Sequence, residues 1–353
     1  MQLLRRELDG LAQFAAADAA PLGGAAERLG VELPGALLEW PVTAEPGALP
    51  VITVRDAAEA DWFWQLFGEA AHLALLDGET SLEVTPDYAT LTAVQRLGRA
   101  LWARAWWPTS EREGIAPLDD AVLAAEIVTL SIDLDGLAGD ALDSEREIAL
   151  AAHSRDEFAQ LLNNDEESVR TLGERLFAAL EWEFPAAAPA MRRRTDYALA
   201  ASGEPEVAAN VLASGAAALE WQRVPAGIFD ASESAIHWSV DARPDPVLHV
   251  LVDLLPGADP TGIQVAAQLG ANPTEEVLGT LDARGGADLP LQLSAAEIWT
   301  QDWAELRIRV GAAGEGDEDA ALRQRVRDHA RSRLVQDDEL TLTAERQAAA
   351  EDF

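Results

Sequence analysis

Five histidines and a surplus of carboxylates are the side chains on which any chemistry of this chain would rest. His237 and His249 attract notice first. Each sits in a stretch of alternating polar and apolar residues, IHWSV and VLHVL, so each projects from the polar face of its strand. A hairpin turning near Arg243 to Asp245 brings them across from one another, as a two-histidine pair able to sense pH or ligate a metal. Two ligands alone do not define a metal site, and solvent-facing strand histidines are the plainer expectation.

Asp133, Asp135, Asp140 and Asp143 form the densest acidic cluster. A calcium loop of the EF-hand kind needs its glycine at the sixth position, whereas Gly136 falls at the fourth, so that reading fails. His153, Asp156 and Glu157 follow. On one helix, His153 and Asp156 share a face, as an acid and base pair might be placed. These residues define a carboxylate- or metal-dependent enzyme as one alternative, with no reaction attached. No catalytic, cofactor-binding or metal-ligating residue is assigned from the sequence, and no cofactor is expected.

The common signatures are absent. The chain has no Lys, so neither a phosphate-binding GxxxxGK[ST] loop nor a lysine Schiff base can form, and GxGxxG, HExxH and GxSxG do not occur. No Cys is present, which removes disulfides, thiolate metal sites and thiol nucleophiles. GC-rich coding accounts for arginine in place of lysine. Avoidance of a lysine-modifying system is the sharper alternative.

Aromatic and arginine residues point instead toward binding. Trp62, Phe63, Trp64 and Phe67 crowd one helical stretch, and Trp102, Trp106 and Trp107 another. Neighbours such as Trp62 with Trp64, or Trp106 with Trp107, cannot all face one core. Those left outside are interface candidates, since Trp and Arg anchor interfaces. Arg192, Arg193 and Arg194 form one basic run; Arg323, Arg325, Arg327, Arg331 and Arg333 form another near the C-terminus. These basic runs raise nucleic-acid contact as a second alternative. The formal charge of -36 and the pI near 4.3 oppose it for the chain as a whole, and favour an acidic surface as the partner of these arginines.

The positioning elements follow from periodicity. With 353 residues and 48% apolar composition, two domains are expected. Residues 1–40 read as short helices broken by Pro21, Gly23, Gly24, Pro34 and Gly35. Val51 to Val54 and Ser81 to Val84 read as strands. Helices are expected over Ala57 to Leu76, from Thr85 to about Trp107, over Leu118 to Leu137 capped by Asp119 or Asp120, over Ser144 to Leu162 and over Glu166 to Trp182. The period then changes from 3.6 to 2. Strands are expected at Leu219 to Val224, Ile236 to Val240, Val247 to Leu254, Ile263 to Leu269, Val277 to Leu281, Leu289 to Leu293 and Glu305 to Val310. A helix is expected over Leu322 to Leu334, followed by a polar terminal segment.

The fold class is therefore α+β and multidomain: a mainly helical, Trp-rich domain (1–184), a Pro/Ala/Arg linker (185–206), an antiparallel, immunoglobulin-like β-sandwich (207–312) and a charged helical tail (313–353). No apolar run reaches the roughly 20 residues a membrane span needs, and no secretion signal is visible, so a cytoplasmic location is expected. The functional expectation is a non-catalytic assembly component of a larger bacterial complex, an accessory subunit of an ATPase-driven or defence system, with another protein subunit as partner.

Overall fold

The computed structural model describes residues 1–185, 211–241, 245–269, 276–294, 297–312 and 318–350. It combines α-helices with antiparallel sheets and divides into two compact units. Unit 1 comprises Met1–Trp107, Ala116–Pro189 and Gln324–Phe353; unit 2 comprises Pro108–Ile115 and Ala190–Arg323.

Unit 1 opens with β1 (Gln2–Leu8), β2 (Leu11–Ala16), β3 (Arg28–Leu33), β4 (Ala36–Pro41) and β5 (Val51–Val54). With β6 (Ser81–Glu83) they form a six-stranded antiparallel sheet in the order β3-β4-β5-β2-β1-β6. The short helices expected over residues 1–40 are thus strands. The glycines read there as helix breakers include those that turn hairpins. Asp9 and Gly10 both have positive φ, 51° and 81°, and join β1 to β2 as a two-residue mirror-image turn. Pro34 and Gly35 join β3 to β4 in the same space, with Gly35 at φ 72°. Leu29, Val31 and Leu33 alternate inward from β3, the period-2 pattern of a half-buried strand.

The helices are α1 (Phe63–Phe67), α2 (Glu69–Leu76), α3 (Tyr88–Trp106), α4 (Asp120–Asp133), α5 (Asp135–Ala138), α6 (Asp143–Ala151), α7 (Arg155–Leu161) and α8 (Glu167–Ala179). Asp119 caps α4 by accepting from the Ala121 and Val122 N–H groups, as its position implies. The cap of α3 is Asp87, two residues beyond the expected Thr85. The single helix expected over 144–162 is two, because Ser154 and Glu157 form a capping box that starts α7 afresh. Helix α4 is buried over an unbroken run from Val122 to Ser131, as befits the central helix of the unit. Helix α3 lies on β3 through Gly98, where an added Cβ would come within 3.1 Å of Val31 Cγ2. Its inner stripe then reaches the loops of the sheet at helical spacing. Gln95 accepts from Gly47 N–H (3.0 Å) and donates to Glu45 O (3.0 Å); Arg99 donates to Val42 O (3.2 Å) and Trp102 to Ala26 O (2.8 Å).

Unit 2 contains β7 (Val211–Ala217), β8 (Ile236–Asp241), β9 (Val247–Val252), β10 (Gln264–Gln268), β11 (Glu276–Thr280), β12 (Gly286–Pro290), the one-turn α9 (Glu297–Thr300) and β13 (Arg307–Val310). They pair as a four-stranded sheet, β12-β9-β8-β7, and a three-stranded sheet, β11-β10-β13. Val240, Leu248, Val250 and Leu289 of the first share one apolar core with Val265, Ala267, Ile308 and Val310 of the second. Leu219 to Val224, expected as a strand, holds a 3-10 turn at Trp221–Arg223. Strand β7 was not anticipated, because its sequence VLASGAA lacks alternation.

Helix α10 (Ala320–Arg333) starts in unit 2 and ends in unit 1, and α11 (Thr343–Ala350) belongs to unit 1. The polar terminal segment is largely buried: Leu340, Leu342, Thr343, Glu345 and Gln347 are all inside. The linker arginines Arg192, Arg193 and Arg194 lie outside the described residues, as does the Arg243 turn.

Candidate functional site

The C-terminal arginines are spent on the protein's own carboxylates. Arg323 makes a two-pronged bond to Glu233, 2.8 Å on each arm, which raises its already high pKa further. Arg325 donates to both Glu27 oxygens (2.6 and 3.2 Å), and Arg331 to Asp328 (2.8 Å). Arg327 is wholly buried and donates to Gln324 (3.0 Å). Arg333, also buried, bonds Asp338 (2.7 and 3.1 Å), the Thr341 hydroxyl (2.7 Å) and Glu345 (3.2 and 3.4 Å). Beside it, Arg99 donates to His329 Nε2 at 3.2 Å. Burial, then the Arg99 and Arg333 charges, hold His329 down at about 3, so it is a neutral acceptor there. Burial likewise draws Arg99 down to about 10. Glu126 binds Arg96 and receives the Thr343 N–H (2.8 Å); burial raises its pKa despite Arg96. This network fastens α11 to α4.

Three of the four clustered aspartates are paired with arginine. Asp133 binds Arg175 at 2.6 Å, and Arg146 binds Asp135 and Asp143. His153 lies in the turn before α7, with Glu157 4.0 Å away, so the expected His153–Asp156 helix face does not form. Among the described residues no group of three or more His, Asp or Glu is placed to hold a metal ion.

The outer face of the four-stranded sheet of unit 2 carries the remaining polar cluster. Strands β8 and β9 pair as expected, but His237 faces Leu251 and His249 faces Ser239, so the two histidines are diagonal neighbours. The rungs align Ser239, His249 and Asp288 on three adjacent strands. That order resembles a nucleophile, base and acid, yet both imidazole nitrogens of His249 are occupied. Nδ1 meets Asp288 at 2.6 Å and Nε2 meets Asp241 at 3.1 Å. Burial lowers the His249 pKa, but the two carboxylates outweigh it and the net shift is upward. A histidine held at both nitrogens in this way has none left to take a serine proton. His237 is similarly held by Asp253 (3.0 Å), which also binds Arg112 (2.9 Å). A shallow open groove elsewhere in the unit, of about 570 Å³, is bounded by Gln222, Pro225, Ile263 and Gly311, with Arg223 its one titratable group.

The tryptophans divide as the spacing requires. Trp62 is buried, with Nε1 donating to Pro34 O (2.8 Å), whereas Trp64 is 52% exposed. Trp106 and Trp107 are half-buried; Trp107 packs edge-on against Trp102 and donates to Ala116 O (2.8 Å). Trp64 has company the sequence did not reveal. Leu73, Leu76, Tyr88 and Met1 are also about half exposed. They come from adjoining pieces of unit 1: Phe67 O and Leu66 O at the end of α1 accept from Thr85 and Asp87 N–H, and the Tyr88 hydroxyl reaches Met1 Sδ (3.2 Å). Helical spacing groups Leu73 and Leu76 with Trp62, Leu66 and Phe67, which are buried. Only the packing of α2 through Ala71 and Leu75 reveals that they point outward.

No family model, no curated protein and no solved structure matches this chain. No helix among the described residues is long and apolar enough to cross a membrane.

Proposed function

We propose that the protein is a non-catalytic, protein-binding component, an accessory subunit of a larger intracellular bacterial assembly such as an ATPase-driven or defence system. The observation that carries the binding role is that Trp64, Leu73, Leu76, Tyr88 and Met1, all about half exposed or more, come from adjoining segments of unit 1. Exposed apolar groups gathered in this way mark interaction sites rather than solvated surface. The two paired sheets of unit 2 fit an immunoglobulin-like sandwich, an architecture that offers edges and loops to partners. A cytoplasmic setting belongs to the same reading.

The competing roles lack a comparable observation. A nucleic-acid role through the C-terminal arginines would first have to break their bonds to Glu233, Glu27 and Asp338. Of the residues considered for an enzymatic role, Asp133 and Asp135 are held by Arg175 and Arg146. The test is affinity purification of the tagged chain from its host, with mass spectrometry and native mass measurement. A dominant partner at near-equal amount is expected. A monomer recovered without any partner under several salt conditions overturns the proposal.

A further inference from the structure

We infer that the exposed surface of α1 and α2 is a docking site for a basic amphipathic helix of a partner protein, an inference that rests on the binding role proposed above. Helix α2 is apolar on both sides. Ala71 and Leu75 pack inward, while Ala70, Leu73 and Leu76 face out. A surface helix ordinarily keeps that outer stripe polar. Leu73 and Leu76 are one turn apart, the spacing into which the ridges of a second helix fit. Trp64 adds a flat aromatic face.

Charge selects the occupant. Residues 56–88 contain eight carboxylates and no arginine. Two of them are engaged in capping, Asp56 at the Ala58 N–H and Asp87 at the start of α3. The other six, Glu59, Asp61, Glu69, Asp77, Glu79 and Glu83, are exposed and form no ion pair among the described residues. Elsewhere in the unit, acidic clusters such as Asp133, Asp135 and Asp143 are met by arginines. Arg5 reaches this segment at Gly78 O (3.3 Å), but its charge is already paired with Glu7. An apolar stripe beside six unpaired carboxylates complements a helix with leucine-like anchors on one face and Lys or Arg beside them. A cation from that helix can also sit over Trp64. The same carboxylates repel nucleic acid and anionic lipid.

The test uses the full chain and a synthetic 14-residue Leu/Lys amphipathic helix, with a Leu/Glu helix of matched pattern as control. Binding is followed by calorimetry. The Leu/Lys peptide binds and the Leu/Glu peptide does not. Leu73→Ser combined with Leu76→Ser weakens binding by about thirtyfold, the loss typical of interface anchors. Glu69→Gln with Asp77→Asn weakens it several-fold and flattens its salt dependence. Ile148→Ser with Glu174→Gln, both exposed on other helices, leaves it unchanged. Circular dichroism confirms that each variant is folded. Equal losses in the control pair, or none in the Leu73/Leu76 pair, mean that the peptide sees only a polyanion and overturn the assignment. Purification from the host separates the two levels. A partner retained by the Leu73/Leu76 variant overturns this site while leaving the binding role standing. Absence of any partner with the unaltered chain removes the binding role itself.

Discussion

Replacing Arg333 by Met removes five hydrogen bonds from the interior of unit 1 at nearly constant volume. The cost is set by what is left behind. Asp338, with about a third of its side chain exposed, turns to water. Glu345 cannot, being fully buried, and it keeps only the Leu342 N–H at 2.9 Å. A buried carboxylate stripped of its counter-ion costs about 3–5 kcal/mol. That energy appears as local opening of α11, which is tied to the unit through the Arg333–Glu345 pair and the Thr343–Glu126 bond. Hydrogen exchange of a peptide covering residues 340–350 should accelerate by about 10²- to 10⁴-fold in Arg333→Met. Replacing both partners, Arg333→Met with Glu345→Met, removes the stranded charge and should recover most of the protection. Acceleration of less than about threefold in the single variant, or a double variant as labile as both singles combined, would falsify the view that the pair holds α11 in place.

Two histidines give opposite pH responses, one in each unit. His249 has a raised folded pKa, so its clamp between Asp241 and Asp288 contributes below its unfolded value near 6.5 and is lost as pH rises through the folded one. Unit 2 should therefore lose stability as pH rises above about 6.5, and His249→Gln should flatten that dependence; an NMR titration placing His249 below 6.5 refutes it. His329 is depressed to about 3, so between that value and 6.5 the unfolded chain binds the extra proton. Unit 1 should weaken as pH falls below about 6.5, on the order of 1 kcal/mol per pH unit, and His329→Gln should remove this acid sensitivity in thermal melts. Gly35→Ala forces a side chain into a positive-φ turn, with its Cβ 2.1 Å from Asp56 O, and should cost at least about 1–3 kcal/mol in urea unfolding.

The helices of unit 1 were legible in part, through long periodic runs such as α3, α8 and α4, which Asp119 caps at its start. The single helices expected over Ala57 to Leu76 and Leu118 to Leu137 are each two, broken at Gly68, which has φ 92°, and at Leu134. Five of the strands of unit 2 were legible through alternation, β8 and β9 most plainly. The N-terminal sheet was not. The signal lies in Leu8-Asp9-Gly10-Leu11, a two-residue hairpin turn flanked by matched strands, but glycine and proline break helices as readily as they turn hairpins and do not by themselves separate the two. Residue β1 neighbours such as Arg5, Arg6 and Glu7 also blur the alternation, since that strand buries only Leu3. Burial of the polar terminal segment was illegible for a different reason. Thr343, Glu345 and Gln347 enter the interior only because Glu126 and Arg333, which lie far apart in sequence, receive them there. No local pattern encodes such a meeting.

Charge distribution gives the acidic composition a structural meaning. A net charge of -36 leaves most carboxylates without a cation of their own, so where the 26 arginines go is a choice the sequence makes. Several are drawn inside or onto helix–helix contacts, where Arg99, Arg327 and Arg333 replace apolar packing. Such buried ions add less stability than apolar groups of like volume, and their value lies in fixing one arrangement of α10 and α11. Among the described residues the carboxylates of residues 56–88 form no ion pair with an arginine, although the same stretch carries exposed leucines and a tryptophan. Self-repulsion among them is unfavourable in the free chain and is relieved when a cation arrives. The apolar stripe supplies the contact area and the rim supplies the selection, so a basic helix is accepted where an acidic or neutral one gains much less.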